Sequence, residues 1–400
     1  MPALSERTDR TELAATFAMA ARARALRAQG ADVISLSLGE PDFPTPEHVV
    51  RAAYEAARRG ETKYPPLGGT EALRAAVRRK YARDQRLDVP VERILVSNGG
   101  KQAIFNVVMA AINHGDEVVI PAPAWAGYEQ TVRFAGGVPV FVPCPQAQNF
   151  VLQPAALDAA ITPRTRLLIL NYPNNPSGAA CDAAGLAAIA EVLRRHEQLW
   201  VLCDDIYEHL LFDGFRYAAL AAVAPDLSDR IVTLTGVSKS YAMTGWRVGF
   251  CAGPAALIRA MTIVQATATS GVSSVSQAAA LAALEGEQGL LPERAAAYQT
   301  RRDLVVARLN QIPGIDCASP NGAFYVFPDI SGCIGKTTPA GRRIEDDSAF
   351  ATALLEEAHV AVVQGSAFAM SPHIRISTAT ADAVLVRACE RIAAFCAGLG

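Results

Sequence analysis

The sequence predicts an α/β protein: a large domain on a mostly parallel seven-stranded sheet, plus a smaller α/β domain. Three observations predict it. The chain has 400 residues, more than one compact core usually needs. Seven short β-rich runs alternate with helical stretches through its middle. From about Pro292 the texture changes to a single helix, a strand and a Gly/Pro/Arg-rich loop.

Taken in order, the chain opens with MPALSERTDRTELAATF, which lacks the charged-then-apolar layout of a signal peptide. A helix to Gln29 and a run Val33–Leu38 follow. Residues 1–45 are expected to pack with the small domain. The large domain, residues 46–291, carries the runs Arg93–Ser97, Glu117–Ala122, Val138–Val142, Arg166–Asn171, Trp200–Asp204, Arg230–Thr235 and Val248–Ala252. Several are nearly continuous in Val, Ile and Leu, as in strands buried on both faces of a parallel sheet. Ala-rich stretches such as Asp182–His196 have helical spacing between them. The small domain, residues 292–400, is expected to hold a helix over Glu293–Asn310, a strand within Gly322–Pro328, a loop over Ser331–Ile344 and a closing αβα stretch.

Composition excludes several classes. The formal charge is 37 − 39 = −2, which removes an electrostatic case for nucleic acid as partner. The eight cysteines are scattered without a CxxC pair, so neither a metal site nor a disulfide scaffold is expected, and reduced thiols in a cytoplasmic protein are. No apolar run approaches the ~20 residues of a membrane span.

Ligands of open α/β sheets sit beyond the carboxyl ends of the strands, and three strand ends carry notable groups. Ser97-Asn98-Gly99-Gly100-Lys101-Gln102 is a glycine turn feeding a helix. It suits an anion, or is simply a tight turn. It is no Walker loop, since Gln102 stands where Ser or Thr is required. Asp204-Asp205-Ile206-Tyr207 follows a buried strand, so a carboxylate there either meets a cation or reaches solvent. The third is Gly236-Val237-Ser238-Lys239-Ser240-Tyr241-Ala242-Met243-Thr244-Gly245-Trp246-Arg247-Val248-Gly249. Only five lysines occur in the chain, and Lys239 lies just past an apolar strand. Partial burial would favour its neutral, nucleophilic form. Arg247 lies eight residues on, with a planar fork suited to phosphate.

This last string resembles the pyridoxal-phosphate attachment signature of class I aminotransferases at every constrained position. The resemblance spans nearly the whole chain, through SLGEPDFPTPEHV (Ser37–Val49), KYPPLGG (Lys63–Gly69), GGKQAIFN (Gly99–Asn106) and ITPRTRLLILNYPNNPSG (Ile161–Gly178). It continues through CDDIYEHLLFD (Cys203–Asp213), GAFYVFPDISGCIGKTTPAGRRI (Gly322–Ile344) and IRIST (Ile374–Thr378). It is nearest to prokaryotic aspartate aminotransferases of the subgroup that often also serves prephenate.

The resemblance implies a fold-type-I transaminase using pyridoxal 5′-phosphate, with no metal, moving an amino group from an L-amino acid, aspartate favoured, to a 2-oxo acid such as 2-oxoglutarate. Lys239 would bind the cofactor as a Schiff base and move the proton between Cα and the cofactor. Asp204 would pair with the pyridinium nitrogen, Asn175 and Tyr207 with the phenolate oxygen, and Trp125 would stack on the ring. Gly100, Lys101, Ser238, Arg247 and, from a second subunit, Tyr64 would hold the phosphate. That last role implies a homodimer with shared active sites. Arg375 would clamp the substrate carboxylate with help from Gly39, and Lys101 would meet a distal carboxylate.

Four segments depart from the usual pattern. Ala124-Trp125-Ala126-Gly127-Tyr128-Glu129 replaces Tyr-Trp-Val-Ser-Tyr-Pro, and Arg375-Ile376-Ser377-Thr378 replaces Arg-x-Ser-Tyr. Ser270-Gly271-Val272 replaces Ser-Asn-Pro, and Ala14-Ala15-Thr16 replaces Ser-Ala-Thr. Smaller residues at Ala124, Gly127 and Thr378 predict a roomier, less polar side-chain pocket. Two alternatives stay open: an aminotransferase for aromatic or other neutral amino acids, and a carbon–sulfur lyase on the same fold.

Overall fold

The computed structural model describes residues 4–12 and 15–400, and the side chains of all these except 15–17. A helix (Ala15–Ala28) leads to the short strand β1 (Ile34–Ser35). The central sheet then takes its strands in turn: β2 (Ile94–Ser97), β3 (Glu117–Ala122), β4 (Val138–Pro143), β5 (Thr165–Asn171), β6 (Trp200–Asp204), β7 (Ile231–Gly236) and β8 (Gly249–Ala252). Each lies within a residue of its expected run at either end. The physical reason is local, since six of the seven are buried along their whole length or nearly so, and runs that are mostly apolar fill such places.

The spatial order is β2-β8-β7-β6-β5-β3-β4. β3 to β7 run parallel, while β8 runs antiparallel to both its neighbours, β7 and β2. Helices such as Gly100–Ala111, Ala183–Arg194 and Ala255–Ala268 cover the faces. One core gathers Ile120, Ile169, Leu202 and Leu234 beneath helix Gly100–Ala111. Another puts Leu168 and Leu170 against Leu186 and Ile189.

Beyond helix Leu290–Leu309, the chain forms β9 (Tyr325–Val326), β10 (Val360–Ala361), β11 (Val363–Gln364) and β12 (Ile374–Ser377), closing on helix Asp382–Ala397. The strand expected within Gly322–Pro328 shrinks to two residues, because β9 pairs only with Ile376 and Ser377 of β12. β1 pairs in parallel with β10. Met19, Ala23, Val33, Ile34 and Leu36 share one core with Val305, Leu354 and Ile392. This places Leu36–Gly39 over the carboxyl ends of the central strands, where Ser377 donates its amide to Leu36 O at 2.9 Å. Among the described residues, no helix is long and apolar enough to cross a membrane.

Candidate active site

A cavity of about 400 Å³ opens where β5, β6 and β7 end and the segments after β1 and around β12 cover them. Lys239 projects into it from the turn after β7. Its amine donates to Gly39 O at 2.6 Å and lies 6.0 Å from the centre of the Tyr207 ring. Burial, reinforced by the positive charge of Arg375, lowers its pKa to about 8. The amine is therefore neutral in an appreciable fraction near neutral pH, the form that attacks a carbonyl.

Asp204 ends β6 and is 5% exposed. Its Oδ2 accepts from the Tyr128 hydroxyl at 2.7 Å and its Oδ1 from the Ile206 amide at 3.3 Å. No cation lies within salt-bridge distance of it among the described residues. Burial raises its pKa to about 6, against the pull of the Tyr128 hydrogen bond. Such a carboxylate suits a cationic N–H in the cavity, where attraction in low dielectric would hold it ionised. Asp205 points the other way, into a small cleft with Cys203 and Tyr217, away from the cavity.

The anion-binding features converge on one end. Gly99 has φ +81° and opens helix Gly100–Ala111, whose first amides have no intrahelical partner. A Cβ on Gly99 would lie 2.5 Å from Arg247 Nη2, so glycine is what lets the guanidinium rest on this turn. Arg247 donates Nη1 to Thr244 O at 2.9 Å and Nη2 to Asn98 O at 3.4 Å, and meets no carboxylate among the described residues. Ser238 lines the same end. Helix amides, a hydroxyl and a free guanidinium form a cradle of the right chemistry for a phosphate dianion.

At the other end Arg375 is 3% exposed yet has no acidic partner within 4 Å among the described residues. Nη1 donates to Asn175 Oδ1 at 2.9 Å and Nη2 to Ser37 O at 2.5 Å. The group is sandwiched between the Tyr325 and Phe368 rings at 4.7 and 4.9 Å. Burial lowers its pKa, and a carboxylate placed against it would relieve that cost. Tyr207 shares a 2.9 Å hydrogen bond with Tyr325 between their hydroxyls.

The structure thus brings together Gly39, Gly100, Lys101, Trp125, Asn175, Asp204, Tyr207, Ser238, Lys239, Arg247 and Arg375 around one cavity. Tyr64 is elsewhere, 97% exposed on the surface of its own chain. Lys101 Nζ sits 5.7 Å from the Trp125 ring centre.

The roomier-pocket expectation needs correction. Ala124 is buried in the core under β3, and Thr378 is fully buried. Gly127 lies beneath the indole, where a Cβ would be 2.3 Å from Trp125 Cη2, so it makes room for the tryptophan rather than for a ligand. None of the three lines the cavity. Gly271 packs against Pro65 and Pro66, and the Ala14-Ala15-Thr16 change falls outside the described residues and side chains.

Three contributors were missed. Tyr128 stands edge-on to Trp125 at 5.3 Å while bonding Asp204, and its signal is an aromatic one helical turn after a tryptophan. Tyr325 sits in the quoted segment GAFYVF without a role. Ser37, which offers only a carbonyl, has no signal in sequence.

A sequence model of the aminotransferase class I and II family matches residues 31–392. An aspartate/prephenate aminotransferase of Cereibacter sphaeroides is 51% identical over 399 residues, covering all of both chains. An aspartate aminotransferase of Rhizobium meliloti is 52% identical over 94% of this chain and 92% of its own. Among solved structures, the aspartate aminotransferase from Rhizobium meliloti superposes with a TM-score of 0.97 at 50% identity, both chains fully covered. That of Thermus thermophilus with maleate gives 0.92 at 40% identity, covering 99% of this chain and all of the other.

Proposed function

The chain belongs to the class I and II aminotransferase family, and on that premise we propose a pyridoxal-phosphate-dependent transaminase that favours aspartate as donor and a 2-oxo acid such as 2-oxoglutarate as acceptor. One observation carries it. A buried lysine amine shares a cavity with a buried carboxylate at one wall, Asp204, and two arginines, Arg247 and Arg375, at opposite ends, none of the three with a counter-charge in contact among the described residues. Each lacks the counter-charge that a different part of a cofactor–substrate pair would supply.

The chemistry of these residues fits pyridoxal phosphate. When bound, pyridoxal phosphate supplies an electron-withdrawing ring that stabilises negative charge at the substrate Cα. Arg247, Ser238 and the Gly100 and Lys101 amides would hold the phosphate, with Tyr64 added from a second copy. Asp204 would keep a proton on the ring nitrogen, with Tyr128 holding its carboxylate in place. Asn175 and Tyr207 would bind the ring oxygen, and Trp125 would cover the ring face. Lys239 Nζ would be both the attachment point and the group that moves the proton at Cα. Arg375, with Gly39 beside it, would orient the substrate by its α-carboxylate.

Lys101, its ammonium over the Trp125 ring, offers a cation for a second carboxylate, which supports aspartate. The Thermus relative solved with maleate, a dicarboxylate, points the same way. We take residues 46–291 as the cofactor-holding domain, and 292–400 with 1–45 as the smaller one, in a cytoplasmic homodimer.

The test is reconstitution with pyridoxal phosphate, borohydride reduction and peptide mapping. Label on Lys239 is expected, and label on any other lysine sinks the assignment. Half-reactions followed by absorbance should then proceed with aspartate and glutamate. Release of free ammonia, instead of transfer to the cofactor, would favour a lyase.

A further inference from the structure

Behind the strand ends, away from the cavity, lies a second set of buried charges that the reading above does not use. Lys80 ends helix Glu71–Lys80 and is 2% exposed, and its ammonium meets the carboxylate of Glu208, 4% exposed. Glu208 has two further donors: Gln85 Nε2 to Oε2 and Thr235 Oγ1 to Oε1, each at 2.6 Å. The helix leaves Lys80 through a wide π turn, Tyr81–Gln85, a distortion that recurs at functional sites. It brings Asp84 within 3.5 Å of Lys80 Nζ and 3.3 Å of His209 Nε2.

The position of Glu208 in the chain matters. It closes the turn after β6, donating its amide to Asp205 O at 2.9 Å, while Asp205 donates to Leu234 O of β7 at 2.8 Å. Asp204 and Tyr207 of this turn line the cavity, and Glu208 faces away from it. Thr235 belongs to β7, four residues before Lys239. One carboxylate therefore ties the strand end bearing Tyr207 to the strand end bearing Lys239, and Lys80 anchors both to a helix. Burial pushes the Glu208 carboxyl up, but Lys80 and His209 outweigh it and hold it below the usual range. Burial and the neighbouring Glu208 charge push the Asp205 carboxyl well above that range, whereas Glu208 accepts the hydrogen bonds from Lys80, Gln85 and Thr235.

We propose that Glu208, with Lys80 as counter-ion, is a positioning residue that sets the Tyr207 hydroxyl relative to the Lys239 amine, an inference that rests on the cofactor reading above. A buried ion pair gives little net stability over an apolar replacement, because desolvation offsets the attraction. Its directional bonds do fix geometry, and a displacement of about 1 Å at a reacting group can cost on the order of 100-fold in rate.

Thr235→Val and Glu208→Gln, made in the full chain and reconstituted with pyridoxal phosphate, test this. Thr235→Val keeps shape and charge and removes only the tie between the strand ends, so it decides the matter if Glu208→Gln fails to fold. Both are expected to shift the pH midpoint of the bound cofactor's visible absorbance in the same direction, and to lower kcat on the order of 10-fold at little change in KM. Thr235→Ser, which restores the hydroxyl, should recover both. A thermal midpoint that drops while the spectral midpoint and kcat stay at wild-type values would reduce the cluster to a structural one and overturn the inference. Wild-type protein that forms no visible band at all would instead overturn the cofactor reading, a distinct result.

Discussion

The cavity wall and the core beside helix Leu290–Leu309 each bury an arginine, with opposite arrangements around it. Arg302 is 2% exposed and donates to both oxygens of Asp213 at 2.8 and 2.9 Å, and to Pro320 O at 2.6 Å. Arg375 is equally buried and meets two amide-type oxygens and two aromatic faces, with no carboxylate among the described residues. The fold satisfies the charge of Arg302 from within and leaves that of Arg375 open. Asp204 and Asp84 repeat the contrast for carboxylates. Asp84 faces Lys80, Arg83 and His209 and is held well below the usual range, burial notwithstanding, whereas Asp204 has a phenol and an amide and is raised to about 6. In both comparisons the group that its own chain leaves without a counter-charge lines the cavity, and the paired one does not.

Lys239→Ala should give the largest effect, since it removes both attachment and proton transfer. Turnover is expected to drop by 10³-fold or more, roughly the upper range of a single acid–base group, while cofactor still binds non-covalently. Dialysis and steady-state kinetics check both.

The aspartate pair is the next test. Asp204→Ala should lower kcat on the order of 100-fold and weaken cofactor retention. Asp205→Ala should leave cofactor retention close to wild type. If Asp205→Ala proves the more damaging, the two carboxylates have been assigned to the wrong faces.

The arginine comparison breaks cleanly with methionine, which keeps the bulk of the stem. Arg375→Met should raise KM for the amino donor on the order of 100-fold, without lowering the thermal midpoint of the cofactor-free chain. Arg302→Met should do the reverse, costing about 1–3 kcal/mol of stability at unchanged KM.

The pH dependence separates the two walls again. Because the Lys239 pKa is lowered to about 8, the rate of cofactor attachment to the cofactor-free protein should rise with pH up to about 8 and then level off. An unshifted lysine would keep rising to about 10.4. Asp204 has the opposite linkage, its pKa being raised from 3.8 to about 6. The folded, cofactor-free chain holds that proton longer, so its stability should fall as pH rises from about 4 to about 6. Denaturant titrations of wild type and Asp204→Asn measure the difference.

The smallest effect belongs to Lys101, on the open side of the cavity. Lys101→Ala should cut kcat/KM for aspartate about 10-fold and leave phenylalanine and methionine nearly unchanged. An unchanged aspartate value removes the distal-carboxylate role.

Sequence by itself determined the seven strands and the chemistry at their ends. Buried parallel strands demand local apolar runs, and Lys239, Arg247, Asp204 and Arg375 each stand in a short string that the resemblance identifies. What only the tertiary structure decided depends on neighbours far apart in the chain. The order β2-β8-β7-β6-β5-β3-β4, with β8 reversed, sets which strand ends meet, and no local pattern encodes it. Gly127 read as space for a substrate until the Trp125 ring was found lying on it. Tyr128 gained its meaning from Asp204, 76 residues away, and Glu208 from Lys80, 128 residues away. Each of these is settled by close packing between elements, where a single Cβ or hydroxyl decides which surfaces can touch.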